Sequence, residues 1–205
     1  MGLLNILRSL FGAVDDRDRE SAPSRPPEPV VADDRPAPPP PSKSDKYLSA
    51  EEAAYYFVPD ADGNLPVRIR RGFFYHPGTR KSVPPGNGTL SKHGLRSFAV
   101  RGVSYYPGNA KAANTSPGEP AILRREPNNK HDENAVAICG LDRTGTERRI
   151  GYVSKGRAKS LAKRMDAGEE PPEAYFMRGS GWGVEARDGI AVVLCDRETL
   201  RRLMR

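Results

Sequence analysis

Residues 120–140 read PAILRREPNNKHDENAVAICG, and the fold is decided in this stretch. Two short apolar runs, Pro120–Arg125 and Asn134–Gly140, flank eight polar residues, Glu126–Glu133. The runs are too short for helices and are rich in β-branched and aliphatic residues. They read as strands joined by a tight polar loop. Upstream, Phe98-Ala99-Val100-Arg101-Gly102-Val103 reads as another strand, closed by Tyr105-Tyr106-Pro107-Gly108, with a polar loop over 109–118. Downstream, a Thr144-Gly145 turn leads to a strand at Arg149-Ile150-Gly151-Tyr152-Val153. Ser154 then caps a helix running to about Asp166 and stopped by Gly168. Its inward positions are Ala158, Leu161, Ala162 and Met165, while Lys155, Arg157, Lys159, Lys163 and Arg164 face out. Tyr175-Phe176-Met177 and Gly189–Cys195 add two strands, and Glu198–Arg205 a closing helix.

The rest of the chain differs in composition. The first fourteen residues form an amphipathic helix with Leu3, Leu7, Leu10 and Val14 on one face, extended by Leu4 and Phe11. A helix that short is marginal alone in water, so it needs a surface: an unknown protein partner, its own domain, or a membrane in peripheral association. It carries neither the pattern of a secretory signal nor a myristoylation site, since Ile6 stands where Ser or Thr is required. Residues 15–46 contain nine prolines between Pro23 and Pro41 and read as a disordered Pro-rich linker. Residues 47–95 form a small β-containing extension. Ser49 opens a short helix there, and 67–75 is a strand with Val67, Ile69, Phe73 and Tyr75 on one face and Arg68 and Arg70 on the other. Pro84–Gly88 is turn chemistry.

The whole chain of 205 residues has 33 basic and 26 acidic side chains, a net charge of +7, and a mean hydropathy of −0.67. The excess sits in the C-terminal half. Residues 96–205 hold 20 basic and 14 acidic side chains, whereas 1–46 are net −1 and 47–95 net +2. A basic domain attracts phosphate polymers or anionic surfaces. No apolar run of about 18 residues is present, so no membrane-spanning helix is expected. Two cysteines, Cys139 and Cys195, cannot build a zinc ribbon and read as buried free thiols in a reducing cytoplasm. No Gly-x-x-x-x-Gly-Lys-Ser/Thr loop is present, so an ATP motor is not expected.

Three features together resemble the HIRAN domain, best known at the N-terminus of eukaryotic helicase-like replication-stress remodellers. They are the pair Tyr105-Tyr106 after Gly102, the loop from Glu126 through Asn129 and Asp132 to Asn134-Ala135, and Ile150-Gly151-Tyr152-Val153 leading into a helix. The resemblance covers about residues 96–200 and assigns 96–205 to a HIRAN-like domain of the type that some bacterial proteins carry without a helicase. It implies a mainly β fold with short helices, an OB-like small β-barrel. It also implies a role in DNA repair and binding of single-stranded DNA or its 3′ end. On the family's pattern, Tyr105 is the base-stacking tyrosine. Asp132 accepts a hydrogen bond from the terminal 3′-hydroxyl, and Lys155 lies near bound phosphate. Ser104 stands where the eukaryotic domains have an arginine, and His131 where they have a tyrosine. Arg101, Arg124 and Arg125 are the candidates to replace the missing guanidinium.

The candidate nucleic-acid-binding residues are Tyr105, Tyr106, Asn129, His131, Asp132, Tyr152, Lys155 and Arg157. A flat aromatic offers a stacking platform worth about 1–3 kcal/mol per base. Lys155 and Arg157 lie in the first turn of a helix, where free N–H groups and the dipole suit phosphate. Core packing of Tyr105-Tyr106, and capping of its own loop by Asp132, are the structural alternatives. The expected function is therefore a DNA-binding module with no catalytic activity, cofactor, metal or small-molecule substrate. Two other readings compete: a protein-interaction adaptor of the same fold without DNA affinity, and a metal-dependent nuclease built on His131, Asp132 and Glu133.

Overall fold

The computed structural model describes residues 37–40, 44, 46–83, 87–179 and 189–205. The amphipathic helix expected over 1–14 and most of the linker expected over 15–46 lie outside these. The chain from Ala37 to Arg205 is one compact unit, mainly β with short helices.

It opens with α1 (Ala50–Tyr56), whose Ser49 and Glu52 form a reciprocal capping box. The strands β1 (Arg68–Arg70) and β2 (Phe73–Tyr75) come next, then α2 (Gly88–Lys92) and β3 (Arg96–Ala99). A 3-10 turn at Val103–Tyr105 runs into α3 (Pro107–Ala112). The order continues with β4 (Ile122–Arg125), β5 (Val136–Leu141), β6 (Glu147–Tyr152), α4 (Lys155–Asp166), β7 (Ala174–Arg178), β8 (Ala191–Leu194) and α5 (Arg197–Met204).

Two three-stranded antiparallel sheets carry the domain, in orders β4–β5–β6 and β3–β8–β7. They meet at two isolated bridges, Arg101 with Tyr152 and Pro120 with Tyr175. The OB-like barrel expected from the sequence is not closed: the two sheets touch only at these bridges. Each junction is a single bridge, so the two sheets are not zipped into one continuous ladder. Between them lies a core of Phe98, Leu123, Val136, Ile138, Ile150, Phe176 and Val192, closed by Ala158, Leu161 and Ala162 of α4.

The β3–β8–β7 sheet is buried on both faces. Phe176 and Val192 point into the barrel core, while Tyr175, Met177, Ala191 and Val193 point outward into a second core. That second core contains Leu48, Phe57, Val67, Phe74 and Leu90 from the extension, with Leu200 and Leu203 of α5. Double-sided burial explains why 174–177 and 191–194 are continuous apolar runs rather than alternating ones.

Several expectations are corrected. The single strand over 67–75 is a hairpin, because Arg71 (φ 51°) and Gly72 (φ 76°) both take the positive φ of a two-residue turn. The turn shifts the faces. Ile69 pairs with Phe74, so buried Phe74 joins Val67 and Ile69, while Phe73 and Tyr75 pair with Arg70 and Arg68. The strand from Phe98 stops at Ala99, and Val103 belongs to the 3-10 turn, because Gly102 adopts a left-handed φ of 73°. The expected loop over 109–118 begins inside α3, which Pro107 starts at its first position. Of the turn expected over Pro84–Gly88, residues 84–86 lie outside the described residues, and Asn87 is the N-cap of α2, which Gly88 begins. Ser154 occupies the N-cap position of α4, but its side chain makes no capping bond. Cys139 is buried, whereas Cys195 is only half-buried; both thiols are free.

The shared core makes a stability prediction. Phe57 is 1% exposed and lies in the extension, yet it packs in the same cluster as Val193 and Leu203. Phe57→Ala is expected to cost about 3–5 kcal/mol and to lower the midpoint of one urea transition followed by circular dichroism. A separate early transition for the extension would overturn this.

Candidate nucleic-acid interface

The bridge between the two sheets builds the site. Arg101 N–H donates to Tyr152 O and Tyr152 N–H donates to Arg101 O, each at 2.8 Å. The backbones can approach because Gly151 has no side chain, where a Cβ would lie 2.3 Å from Arg101 O. Immediately past the bridge, Gly102 turns the chain into the 3-10 turn, and Tyr105 N–H closes onto Gly102 O at 3.0 Å. This leaves Tyr105 83% exposed and sends Tyr106 inward. Core packing is thereby excluded for Tyr105.

A second device acts in β6. Ile138 pairs with Gly151 and Cys139 with Arg149, so Ile150 is an extra residue in a bulge, fully buried in the core. In a regular strand, residues three apart point to opposite faces. The bulge instead brings Arg149 and Tyr152 together, and Arg149 Nη1 donates to Tyr152 Oη at 2.8 Å. The guanidinium also lies 5.2 Å from the Tyr106 ring centroid. Asn109 of α3 steadies this strand by donating to Arg149 O at 2.9 Å.

Glu126 is the hub beneath these groups. Its Oε1 accepts from Arg149 Nη1 at 2.9 Å, and its Oε2 accepts from Tyr152 Oη at 3.0 Å and Asn129 Nδ2 at 2.9 Å. The hydroxyls of Tyr106 and Tyr152 are 3.3 Å apart. Asn129 faces both ways. Its Oδ1 accepts from the backbone N–H of His131 at 3.0 Å and of Asp132 at 3.3 Å. Asp132 in turn accepts from Asn134 N–H at 2.9 Å through Oδ1. The polar loop thus spends Asn129 and Asp132 partly on holding its own shape, and both still line the site, while Glu126 supports it from behind.

The result is a cavity of about 610 Å³ lined by Arg101, Gly102, Tyr105, Tyr106, Asn129, His131, Asp132, Ala135, Tyr152 and Val153. It brings together six of the eight residues named from sequence. Lys155 and Arg157 do not line it. Arg157 is drawn back along α4, with Nη1 3.3 Å from Ser97 O and its guanidinium 5.7 Å from the Phe98 ring centroid. Lys155 is exposed in the first turn, two residues beyond Val153. Of the three arginines considered as replacements, Arg101 lines the cavity. Arg124 pairs with Glu147, and Arg125 with Asp166.

Sequence reading misses Glu126 and Arg149 as parts of the site. The i, i+3 spacing of Glu126 and Asn129 in a loop is a usable signal, because it suits a side-chain bond across one turn. Nothing in the sequence announces the bulge that recruits Arg149.

The family model described as the HIRAN domain matches residues 93–188, which contain every residue lining the cavity. A solved structure, the HIRAN domain of human HLTF, is similar at 22% identity, covering 53% of this chain and 82% of that chain with a TM-score of 0.36. No curated protein matches.

Burial holds the Tyr152 phenol up to about 12, helped by its bond to Tyr106, while the Arg149 bond works the other way. Burial and the bond to Glu173 likewise push Tyr175 up to about 12. A phenol whose proton is held more tightly when folded stabilises the protein fully below its ordinary value of 10. That contribution is lost as pH rises through the folded value. Stability is therefore expected to fall between pH 10 and 12. Tyrosinate absorbance should show both phenols still protonated at about pH 11, where an ordinary tyrosine is largely ionised. Tyr152→Phe should remove one late-titrating phenol. Ionisation of every tyrosine near pH 10 would contradict the burial argument.

Proposed function

We propose that this chain is a DNA-binding module that takes the 3′ end of a single strand into the Tyr105 cavity and has no catalytic activity of its own. The observation that carries the reading is Tyr105. A ring 83% exposed, on a backbone set by a left-handed glycine and a backbone bond, offers a stacking platform at the mouth of the cavity.

The charges around it sort into two roles. Glu126 is matched by Arg149, so the floor of the cavity is polar without a free charge. Among the lining residues this leaves Arg101 as the unpaired guanidinium and Asp132 as the unpaired carboxylate. A cation suits the phosphodiester. An anionic oxygen accepts a hydrogen bond from a terminal hydroxyl and repels a terminal phosphate. Together they suit a strand that ends in a free 3′-hydroxyl. A cytoplasmic location belongs to the same proposal.

The nuclease reading draws no support from the geometry. Asp132 Oδ1 is occupied by the Asn134 N–H, and among the described residues no three metal-ligating side chains are grouped to hold an ion.

Fluorescence anisotropy with matched oligonucleotides tests the proposal. A strand with a 3′-hydroxyl should bind more tightly than the same strand with a 3′-phosphate. Asp132→Asn keeps an oxygen for the Asn134 N–H, so it should fold normally and lose the preference between ends. Tyr105→Ala should cost about 1–3 kcal/mol in binding. Arg101→Ala should make the salt dependence shallower by about 0.7, the value of one phosphate on a single strand. Arg157→Ala should leave that slope unchanged, because its guanidinium is committed to β3. Equal binding of both ends by the unmodified protein at low salt would refute 3′-end recognition.

A further inference from the structure

The arginines of the β4–β5–β6 sheet are matched by acids. Arg124, Arg125, Arg148 and Arg149 pair with Glu147, Asp166, Asp142 and Glu126. At one end of the other sheet they are not. Among the described residues Arg101, Arg178 and Arg71 have no acidic partner.

The register relates two of these, Arg101 and Arg178. Ala99, Ala191 and Arg178 are successive partners across β3, β8 and β7, so their side chains share a face. Arg101 comes two residues after Ala99 along the same extended chain and shares that face too. Adjacent strands lie about 4.8 Å apart, which sets Arg101 and Arg178 at strands roughly 10 Å from each other. The Arg178 guanidinium spans part of the interval. A Cβ on Gly189, two residues before β8, would lie 3.9 Å from Arg178 Nη2.

The hairpin of the extension continues the line. The Arg178 stem lies against Gly72, where a Cβ would be 2.3 Å from Arg178 Cβ, and its head sits 5.0 Å from the Phe73 ring centroid. Gly72 is the second residue of the hairpin turn, and Arg71 is the first. Arg71 holds a φ of 51°, at a position that favours Asn, Asp or Gly, and its side chain is exposed. A strained, unpaired arginine at a turn tip contributes nothing to the packing of this fold. Among the described residues Arg178 Nε is buried without a hydrogen-bond partner and the residue is half-buried, so its terminal nitrogens are the groups offered to a phosphate.

We infer that Arg101, Arg178 and Arg71 form a phosphate-binding track that receives the backbone of a single-stranded nucleic acid on the 5′ side of the nucleotide in the cavity. The inference rests on the cavity reading for its direction, but its residues Arg178 and Arg71 lie outside the cavity. Arg71 also lies outside residues 93–188, so the extension would add length to the binding site as well as covering the sheet.

The test uses the full chain and two oligothymidylates with 3′-hydroxyl ends, one of about 4 and one of about 16 nucleotides, the range of site sizes for a single OB-type fold. The variant combines Arg71→Gly, which suits the turn, with Arg178→Met, which keeps an apolar stem on Phe73. With the long strand, the variant should bind about tenfold more weakly, and its salt slope should be shallower by about 1.4, two phosphates on a single strand. Its affinity for the short strand and its melting temperature should be unchanged. Undiminished binding of the long strand, or equal loss for both lengths, would overturn the track. If the unmodified protein binds only the long strand and the variant loses it, the track stands and the cavity reading fails. If the unmodified protein binds neither, both fail.

Discussion

Two backbone hydrogen bonds between Arg101 and Tyr152 are the constraint on which the site depends. They form one of the two isolated bridges at which the two sheets touch. They form only because residue 151 is a glycine and lets one backbone come within contact of another. That contact forces the path of the chain beyond it. Past Arg101 the polypeptide has no ladder to continue, so Gly102 turns it into a single 3-10 turn. Two adjacent tyrosines then come to serve different ends. Tyr106 faces the Tyr152 ring, with centroids 6.1 Å apart, while Tyr105 stands in solvent. On the opposite strand the same contact fixes Tyr152, whose hydroxyl is a floor of the cavity. One junction therefore sets the platform and the floor together, and neither can move without the other.

The electrostatics derive from this geometry rather than from the overall charge of the domain. A net charge of +7 for the chain suggests a broadly basic surface. In the folded domain several arginines are spent on neighbouring acids, and exposed pairs of this kind add little stability. Their effect is subtraction. By pairing with Arg124, Arg125, Arg148 and Arg149, the acids remove the β4–β5–β6 sheet as a source of free positive charge, while Arg101 and Arg178 at the end of the other sheet keep theirs. The carboxylate of Asp132 then stands out as a local exception inside a basic neighbourhood. A local exception of this sort can distinguish a hydroxyl from a phosphate, whereas a uniformly basic patch attracts both to the phosphate side.

Features that depend on short-range pattern are legible in the sequence. The strands around 120–140 alternate with turns in plain view. The loop from Glu126 to Asn134 is readable because Asn and Asp bond to amides two or three residues away, which the structure shows at Asn129 and Asp132. Features that depend on register are not legible. The bulge at Ile150 costs one residue of pairing and changes which side chains share a face, yet the residue inserted is an ordinary isoleucine. The Arg71-Gly72 turn does the same to the hairpin. An arginine gives no hint of positive φ, so simple alternation puts Phe73 and Tyr75 on the buried face in place of Phe74. Arg157 misleads for a different reason. Helical periodicity places it outward, but a long side chain bends back along its helix, and Phe98 and Ser97 O are within its reach.

The extension at 47–95 shows how much of the barrel's own sequence is written for a neighbour. Tyr175, Met177, Ala191 and Val193 alternate with residues of the barrel core and point away from it. A barrel alone would present that row to water as a contiguous apolar patch, and such patches on a soluble domain mark places where something binds. Here the partner is the chain's own N-terminal side, supplied by Leu48, Phe57, Val67, Phe74 and Leu90. Covering the sheet also carries the β1–β2 hairpin to the end of β7, because Gly72 seats against Arg178. The position of Arg71 is thus a consequence of burying the sheet. The packing that hides an apolar face delivers an unpaired charge to the edge of that face, beside Arg178 at the end of β7.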